Sequence, residues 1–178
     1  MKNINNYISE KLNIKNIKVR QYTYHPKTKG ELIKILEEKL TEDKNANLND
    51  IDVSEITDMS LLFYTLDPRN IDISEWDVSN VTNMKGVFFE CNSFNCDLSK
   101  WDVSKARNMG DMFYYCENFN SDLSKWNVSK VENMEDMFYG CEKFNYDLSK
   151  WDISNVTNMT EMFYKCDSLK NKPSWYKE

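Results

Sequence analysis

Tryptophan recurs in this chain at a fixed interval of 25 residues. The four positions are Trp76, Trp101, Trp126 and Trp151, and each begins a near-identical tetrapeptide, Trp-[Asp/Asn]-[Val/Ile]-Ser. A period between about 20 and 50 residues is typical of solenoid proteins, in which each turn packs on its neighbours and all turns share one continuous core. The spacing therefore predicts a repeat architecture.

The other apolar residues keep the same register. The methionine row is Met59, Met84, Met109, Met134 and Met159; the phenylalanine row is Phe63, Phe88, Phe113, Phe138 and Phe163; the leucine-type row is Ile73, Leu98, Leu123 and Leu148. Ile51 occupies the tryptophan position one period earlier, so apolar bulk is sufficient there. The repeats are predicted to run from residue 47 to 170 in five turns, and the last partial turn is one residue short.

Two periodicities predict the local structure of each turn. In the segment from Leu98 to Ser104, Trp101 and Val103 alternate with Asp102 and Ser104, as expected of a short strand with one buried face. Equivalent strands of successive turns would pair in parallel, about 4.8 Å apart. Between Val81 and Cys91, the apolar residues fall at the three-and-four spacing of one helical face. Each turn is therefore expected to hold one short parallel strand and one short helical or 3₁₀ segment.

The first 46 residues do not repeat and are predicted to form an N-terminal cap. Thr28 and Glu31 match a capping box, and the apolar residues that follow lie at helical spacing, which predicts an amphipathic helix from about 29 to 41. The segment from Ile17 to Tyr24 alternates and is a candidate strand. Residues 171–178, which include Pro173 and Trp175, break the pattern and are predicted to cover the last turn as a C-terminal cap.

The repeat consensus, F-N-x-D-L-S-x-W-D-V-S-x-V-x-N-M-x-x-M-F-x-x-C, resembles the bacterial surface-protein repeat of the BspA-like leucine-rich-repeat group. This resemblance covers about residues 47–170. It implies a right-handed, leucine-rich-repeat-like solenoid and, for function, adhesion or protein binding. Together with the periodicities, the expected fold is an α/β repeat solenoid of about five 25-residue turns with a helical N-terminal cap.

Charge is distributed unevenly along the chain. Residues 1–46 hold 10 Lys and Arg against 6 Asp and Glu, a net of +4, whereas residues 47–178 hold 13 against 23, a net of −10. An acidic surface repels phosphate backbones and favours basic partners, so the repeats are expected to bind another protein with a basic surface and no nucleic acid directly. The alternative is that the charge serves solubility.

The sequence shows neither an export signal nor a membrane anchor. Its first residues lack the apolar run of about 7 to 15 residues that a signal peptide needs, and no stretch approaches about 18 apolar residues. We therefore expect a cytoplasmic protein with no membrane partner. This differs from the surface relatives of the resembling group, which carry a signal or an anchor.

Four of the five cysteines share one repeat position, at Cys91, Cys116, Cys141 and Cys166. Leu66 occupies the same position in the first full turn, so the site is predicted to be a core position with buried thiols. A metal or disulfide role is the alternative, although zinc needs about four ligands that converge on one point. Cys96 stands apart and is expected at the surface.

Aspartates form two further rows. One row is Asp72, Asp97, Asp122 and Asp147; the other is Asp52, Asp77, Asp102 and Asp152, interrupted by Asn127; a parallel amide row is Asn83, Asn108, Asn133 and Asn158. Asp and Asn at fixed turn positions usually accept hydrogen bonds from nearby backbone N–H groups, which is the expected role. Calcium binding is the alternative.

No catalytic constellation can be assembled from the sequence. His25 is the only histidine, the chain has four glycines, and no phosphate-cradling loop or zinc-protease motif is present. We therefore expect a protein without enzymatic activity, cofactor or metal.

Candidate binding residues come from the position after the periodic phenylalanine, which is aromatic in every turn. These residues and their variable neighbours are Tyr64, Phe89, Tyr114, Tyr115, Tyr139, Tyr164, Glu90, Glu135 and Asp136. Rows of aromatic side chains with charged neighbours are typical of binding hot spots. The alternative is that the aromatic row only packs against adjacent turns.

Three functions remain open at this stage. The first is a protein–protein interaction module that binds through an acidic, aromatic-bearing face. The second is a phage- or mobile-element-encoded inhibitor, of the anti-CRISPR kind, that blocks a basic nucleic-acid-binding surface of a host defence enzyme. The third is a surface adhesin, which follows the resembling group.

Overall fold

The computed structural model describes residues 20–66 and 68–177. One helix, α1, lies within these ranges and spans Lys29–Glu42. The remaining described backbone consists of turns and loops, with single-residue β-bridges and no longer strand. The fold therefore depends on contacts between repeats rather than on long regular elements.

Helix α1 confirms the helix predicted for residues 29–41. Thr28 is its N-cap, and its hydroxyl accepts a hydrogen bond from the Glu31 N–H at 3.2 Å. The Glu31 carboxylate in turn accepts from the Lys27 N–H at 2.7 Å, which completes a reciprocal cap. Residues 17–19 of the candidate strand lie outside the described residues, and within residues 20–24 Tyr24 forms one parallel bridge with Ile51.

The apolar face of α1 is buried at one end of the repeat array. Leu32, Leu36 and Leu40 are fully buried in the common core, as expected of a cap that shields the first repeat. Two lysines, one near each end of the helix, form salt bridges with the first repeat. Lys29 lies 3.8 Å from Asp58, and Lys39 lies 3.2 Å from Asp50.

Successive repeats stack in register at the 25-residue period. The parallel bridges join Asn47 to Asp72, Asp58 to Asn83, Asn83 to Asn108, Asn108 to Asn133 and Asn133 to Asn158. Each bridge links equivalent residues of neighbouring repeats, so the sequence repeat is also a repeat in space. This regularity brings every apolar row into one continuous core.

The predicted fold class is wrong. The described residues contain neither the repeated strand nor the repeated helix of an α/β leucine-rich-repeat-like solenoid, since α1 is the single helix and no sheet forms. Each predicted helix is replaced by a chain of turns, and each predicted strand by two tight turns. Two local causes explain these differences.

The first cause lies in the segment that the sequence predicts to be helical, which we call the ladder segment (residues 84–91 and their equivalents 59–66, 109–116, 134–141 and 159–166). Its N–H groups alternate in direction. Those of residues 84, 86, 88 and 90 donate to carbonyls 24 residues later in the next repeat, at 2.7–3.0 Å, whereas Val87, Phe89 and Cys91 donate three residues back. An α-helix would direct every donor four residues back along its own segment.

The backbone dihedrals fit this alternation. In the ladder segment 84–91 and in each later one, two residues have positive φ. In segment 84–91 these are Gly86 at 60° and Glu90 at 57°. Equivalent residues in other repeats also have positive φ, including Asp111 at 55° and Tyr115 at 53°. A left-handed residue at every fourth or fifth position cannot continue a right-handed helix. The three-and-four apolar spacing therefore arises from a turn ladder with one buried side.

The second cause lies in the predicted strand around Leu98–Ser104. The Asp97 and Asp102 carboxylates accept hydrogen bonds from the N–H groups of Ser99 and Ser104 at 2.9 and 3.0 Å. Trp101 then donates its N–H to the Leu98 carbonyl at 3.0 Å. Side chains that bond their own backbone compete with strand pairing, so the chain turns at each aspartate.

Aromatic side chains form the centre of the core. The phenylalanine row stacks continuously, with ring centroids 5.4–5.6 Å apart from Phe63 to Phe163. A second stack of Phe94, Phe119 and Phe144 lies against the first. Offset stacks of this kind are favourable and bury large apolar areas. They also fix the height of each repeat.

The tryptophans link each repeat to the preceding one. The indole N–H of Trp126 donates to the buried carbonyl of Leu98 at 3.0 Å, and the same bond recurs 28 residues apart at Trp76, Trp101 and Trp151. Trp175 continues the series in the shortened last repeat, where it donates to Leu148 at 3.2 Å. Trp175 and Pro173 thus cover the tryptophan side of the final repeat, in the region predicted as the C-terminal cap.

No helix within the described ranges is long and apolar enough to cross a membrane.

We predict that Trp126→Phe lowers the free energy of unfolding by about 0.5–1.5 kcal/mol, because it removes the indole donor and leaves the buried Leu98 carbonyl with the Trp101 N–H alone. Trp175→Phe is the matched control, since Trp175 makes the same bond from a half-buried position that water can reach. Urea unfolding of both variants measures the difference. Equal losses would show that the indole bond is not what stabilises the repeat junction.

Candidate functional site

The residues that follow the buried phenylalanines form an exposed aromatic row, which we call the aromatic ridge (Tyr64, Phe89, Tyr114, Tyr139 and Tyr164). Neighbouring rings are 4.7–5.3 Å apart. The ladder segment positions them, because adjacent side chains point to opposite sides: Phe113 is buried, and Tyr114 next to it is half-exposed. The ridge therefore runs along the outside of the array.

Exposure along the ridge is uneven. Tyr64 and Tyr164 at its ends are each 49% exposed, while Phe89, Tyr114 and Tyr139 are half-buried by their neighbours. The rings thus pack against adjacent repeats and also present a continuous surface to solvent. Large, mutually supported aromatic rings lose little entropy when a partner covers them.

Tyr115 breaks the regularity of this face. Its ring lies against Gly140, where an added Cβ would come within 2.7 Å of the Tyr115 ring carbons. The ring also meets Tyr139 at 5.4 Å, and its hydroxyl lies 3.3 Å from Lys165 Nζ, two repeats away. Because Gly140 leaves this space open, Tyr115 can reach across one repeat and widen the ridge.

Carboxylates lie beside the ridge, in a group that we call the acidic flank (Asp111, Glu135, Asp136 and Glu161). Burial raises the pKa of Asp136, and the negative charges of Asp111, Glu135 and Glu161 raise it further. Lys85 lies 3.3 Å from Asp111 and forms the one salt bridge to the flank among the described residues. The carboxylates around Asp136 therefore outnumber their positively charged partners.

The tyrosines respond to the same environment. Burial raises the pKa of Tyr114, and Tyr115, Asp136 and Asp111 raise it further. Burial and Tyr115 raise the pKa of Tyr139 in the same way. Both hydroxyls are protonated at neutral pH and can donate or accept a hydrogen bond.

The structure brings most of the predicted binding residues together. Tyr64, Phe89, Tyr114, Tyr139 and Tyr164 form the ridge, Tyr115 lies across it, and Glu135 and Asp136 belong to the acidic flank. Glu90 is exposed and contributes negative charge at Tyr114.

Four residues of this surface were not among the binding residues predicted from the sequence. Asp111 and Glu161 share the repeat position of Asp136, and alignment of that position alone would have found them. Gly140 and Lys165 share the position of Tyr115, but their roles depend on a side chain that spans two repeats. A contact of that length leaves no trace in a repeat-by-repeat alignment.

The cysteine row is buried, as predicted. Cys116 donates its thiol to the Phe88 carbonyl at 2.9 Å, and Cys141 and Cys166 make the equivalent bond. Burial raises the pKa of Cys116 and Cys141 well above the ordinary value, and that of Cys166 to about 12. These thiols are unreactive core groups. Cys96, expected at the surface, is partly buried.

The aspartate rows close turns, as predicted. Hydrogen bonds from the Ser104 side chain and backbone lower the pKa of Asp102, and Ser124 acts in the same way on Asp122. Within the described ranges, no group of three or more His, Cys, Asp or Glu side chains is arranged to hold a metal ion. His25 lies 3.3 Å from Asp52 on the surface of the cap.

Comparison with protein families matches the description "Mycoplasma protein of unknown function, DUF285" over residues 33–141 and 100–177. Together these matches cover most of the chain, including residues 33–42 of α1 and every repeat. The chain belongs to the DUF285 family. This confirms in general terms the expected membership of a bacterial repeat family. No curated protein and no solved structure matches the chain.

In this DUF285 chain, we predict that Gly140→Ala costs at least about 1–2 kcal/mol of unfolding free energy. The alanine must adopt a φ of 72°, and its Cβ meets the Tyr115 ring. Gly30→Ala in α1 is the control, because a Cβ there meets nothing within 4 Å, and we expect no loss. Adding Tyr115→Ala should recover part of the Gly140→Ala loss in a double-mutant cycle. Purely additive effects would contradict the packing of Tyr115 on Gly140.

We predict a second effect from the raised pKa of Asp136. The folded state binds this proton more tightly than the unfolded state, so the free energy of unfolding falls as pH rises through the interval above the ordinary pKa. Asp136→Asn removes that fall and should gain stability, relative to the natural chain, between about pH 3 and pH 7.

Asp122→Asn is the control for this titration, because the lowered pKa of Asp122 gives the opposite sign. Urea unfolding at both pH values checks the prediction. An Asp136→Asn difference that does not change with pH would reflect only the positive φ of that residue, 53°, which asparagine tolerates well.

Proposed function

We propose that this protein is a non-enzymatic interaction module that binds the basic surface of another protein through the aromatic ridge and the acidic flank. One observation carries the proposal: a continuous row of partly exposed aromatic rings lies beside carboxylates that have too few positive partners. A partner's arginine or lysine side chains would supply the missing charge and stack on the rings.

The chemistry of the two surfaces is complementary for this purpose. Arginine stacks on aromatic faces and pairs with carboxylates through a rigid fork, so one partner residue can use both the ridge and the flank. A bound cation would also lower the pKa of Asp136 and offset the repulsion from Asp111, Glu135 and Glu161. Binding would therefore relieve an unfavourable charge arrangement in the free protein.

We also propose that the chain is a member of the BspA-like group. The consensus that ends in F-x-x-C resembles the BspA-like group, in which protein binding and adhesion are the expected roles. A cytoplasmic location likewise remains our proposal, and it favours an intracellular partner over a host surface.

An inhibitor of a nucleic-acid-binding host defence enzyme is the second candidate. The concentration of like charge around Asp136 favours it, since such a surface would compete with phosphates for a basic groove. The two candidates differ in how strongly binding depends on salt. Charge-led mimicry requires steep weakening between about 0.1 M and 1 M salt, as the Debye length falls from about 10 Å to about 3 Å.

The test begins with capture of partners from the native organism on the immobilised protein, followed by mass spectrometry and affinity measurements on the purified partner. Tyr139→Ala and the pair Glu135→Gln with Asp136→Asn should each weaken that partner's affinity by about tenfold or more, as at a binding hot spot. Thermal unfolding verifies that each variant remains folded.

Tyr146→Ala is the matched control. Tyr146 is also a tyrosine with 36% exposure, but it lies in the repeat position of Cys96, away from the ridge. The proposal predicts full affinity for this variant. Equal affinity of the natural protein, Tyr139→Ala and the flank variant would show that the partner uses another surface.

A further inference from the structure

In the last ladder segment, residues 159–166, the N–H groups that would bond a following repeat have no such partner among the described residues. In the preceding segment, Met134, Asp136, Phe138 and Gly140 donate their N–H groups to carbonyls of the last repeat at 2.8–3.0 Å. The equivalent donors one repeat later are Met159, Glu161, Phe163 and Lys165. Among the described residues, no acceptor is bonded to any of these four N–H groups.

These donors form a row of one polarity. The edge of an ordinary strand alternates N–H and C=O groups, but the ladder directs its N–H groups to one side and its bonded carbonyls to the other. Glu161 and Lys165, four residues apart, have φ of 51° and 56°. The intervening N–H groups close turns within the segment, so every second N–H is the one directed outward.

The surroundings of the row are also open and basic. A cavity of about 560 Å³ lies at this end of the array, lined by residues that include Met159, Glu161, Tyr164, Lys172 and Lys177. Residues 157–178 hold 4 lysines against 3 acidic residues, a net of +1, whereas residues 47–156 hold 9 basic against 20 acidic, a net of −11. The donor row thus lies in a weakly basic stretch beside the acidic repeats.

Core residues are less covered at this end. Met159 is partly exposed, whereas Met84, Met109 and Met134 in the same row are 0% exposed. Trp175 and Tyr176 cover Phe163, which is 1% exposed, whereas Glu161 and Lys165 in the same segment are exposed. Apolar contact area is therefore available beside the hydrogen-bond donors.

We propose that this end of the array is a second binding site, which takes an acidic peptide segment of a partner protein. Carboxylate and carbonyl oxygens of the segment would accept from the N–H groups of Met159, Glu161, Phe163 and Lys165, and Lys172 and Lys177 would attract its charge. A single small anion can satisfy only neighbouring donors, whereas a peptide carries acceptors along the whole row. The site meets the end of the aromatic ridge at Tyr164 and the acidic flank at Glu161, and it differs from them in the sign of its ligand.

The test is an NMR titration of the whole ¹⁵N-labelled protein with a capped oligoglutamate peptide, compared with capped oligoglutamine. The amide resonances of Met159, Glu161, Phe163 and Lys165 should shift on addition of oligoglutamate. Those of Met134, Asp136, Phe138 and Gly140 are internal controls, because their N–H groups are already bonded. Oligoglutamate that shifts none of the four resonances would overturn the proposal.

Variants distinguish the site from general charge attraction. Lys172→Gln combined with Lys177→Gln should weaken oligoglutamate binding by about threefold or more, as expected of exposed charge contacts. Lys130→Gln, an exposed lysine elsewhere on the array, should leave it unchanged. If both changes weakened oligoglutamate binding equally, binding would depend only on the net charge of the protein, and the proposed site would be wrong.

Two further outcomes would overturn the choice of ligand. Inorganic phosphate that produces the same shifts at the same concentration would show a simple anion site. Shifts of the same four amides that grow with protein concentration alone would show that a second copy of this chain is the occupant. Tyr139, Glu135 and Asp136, whose variants test the proposed function, do not line this cavity, so a failure of the titration leaves that test unaffected.

Discussion

The backbone ladder between repeats is the interaction on which the rest of this structure depends. Alternate N–H groups of each ladder segment bond the next repeat, and the remaining donors close turns within the segment. Because the ladder sets one fixed distance between repeats, phenylalanine, tryptophan and cysteine side chains of neighbouring repeats meet as stacks and hydrogen-bonded pairs. The same spacing arranges the outward rings of Phe89, Tyr114 and Tyr139 as a ridge.

Sequence reasoning succeeded where one residue type has one physical role. Thr28 and Glu31 predicted the start of α1, the interchange of Leu66 and cysteine predicted buried thiols, and the aspartate rows predicted turns. The local conformation failed because apolar spacing reports which side chains are buried and not how the backbone turns between them. Positive φ at Asp111 and Tyr115 is invisible in the sequence, since neither residue is the glycine that usually marks it.

The candidate site, too, could be predicted from the sequence only in part. The ridge could be predicted because it repeats, and Glu135 and Asp136 because variable charged positions indicate surface. The contact of Tyr115 with Gly140 and Lys165 could not be predicted, because it arises where one repeat departs from the others. In an array of near-identical units, such departures are the places where a surface acquires individual character.

The single polarity of the ladder has a consequence for self-association. Exposed edges of ordinary sheets attract further copies, because each edge presents both donors and acceptors. Here the free edge of the last repeat presents N–H groups alone, so two copies brought together through that edge would place donor against donor. Two copies are therefore not expected to pair through their last repeats, and any pairing at this edge requires a surface that presents carbonyl groups.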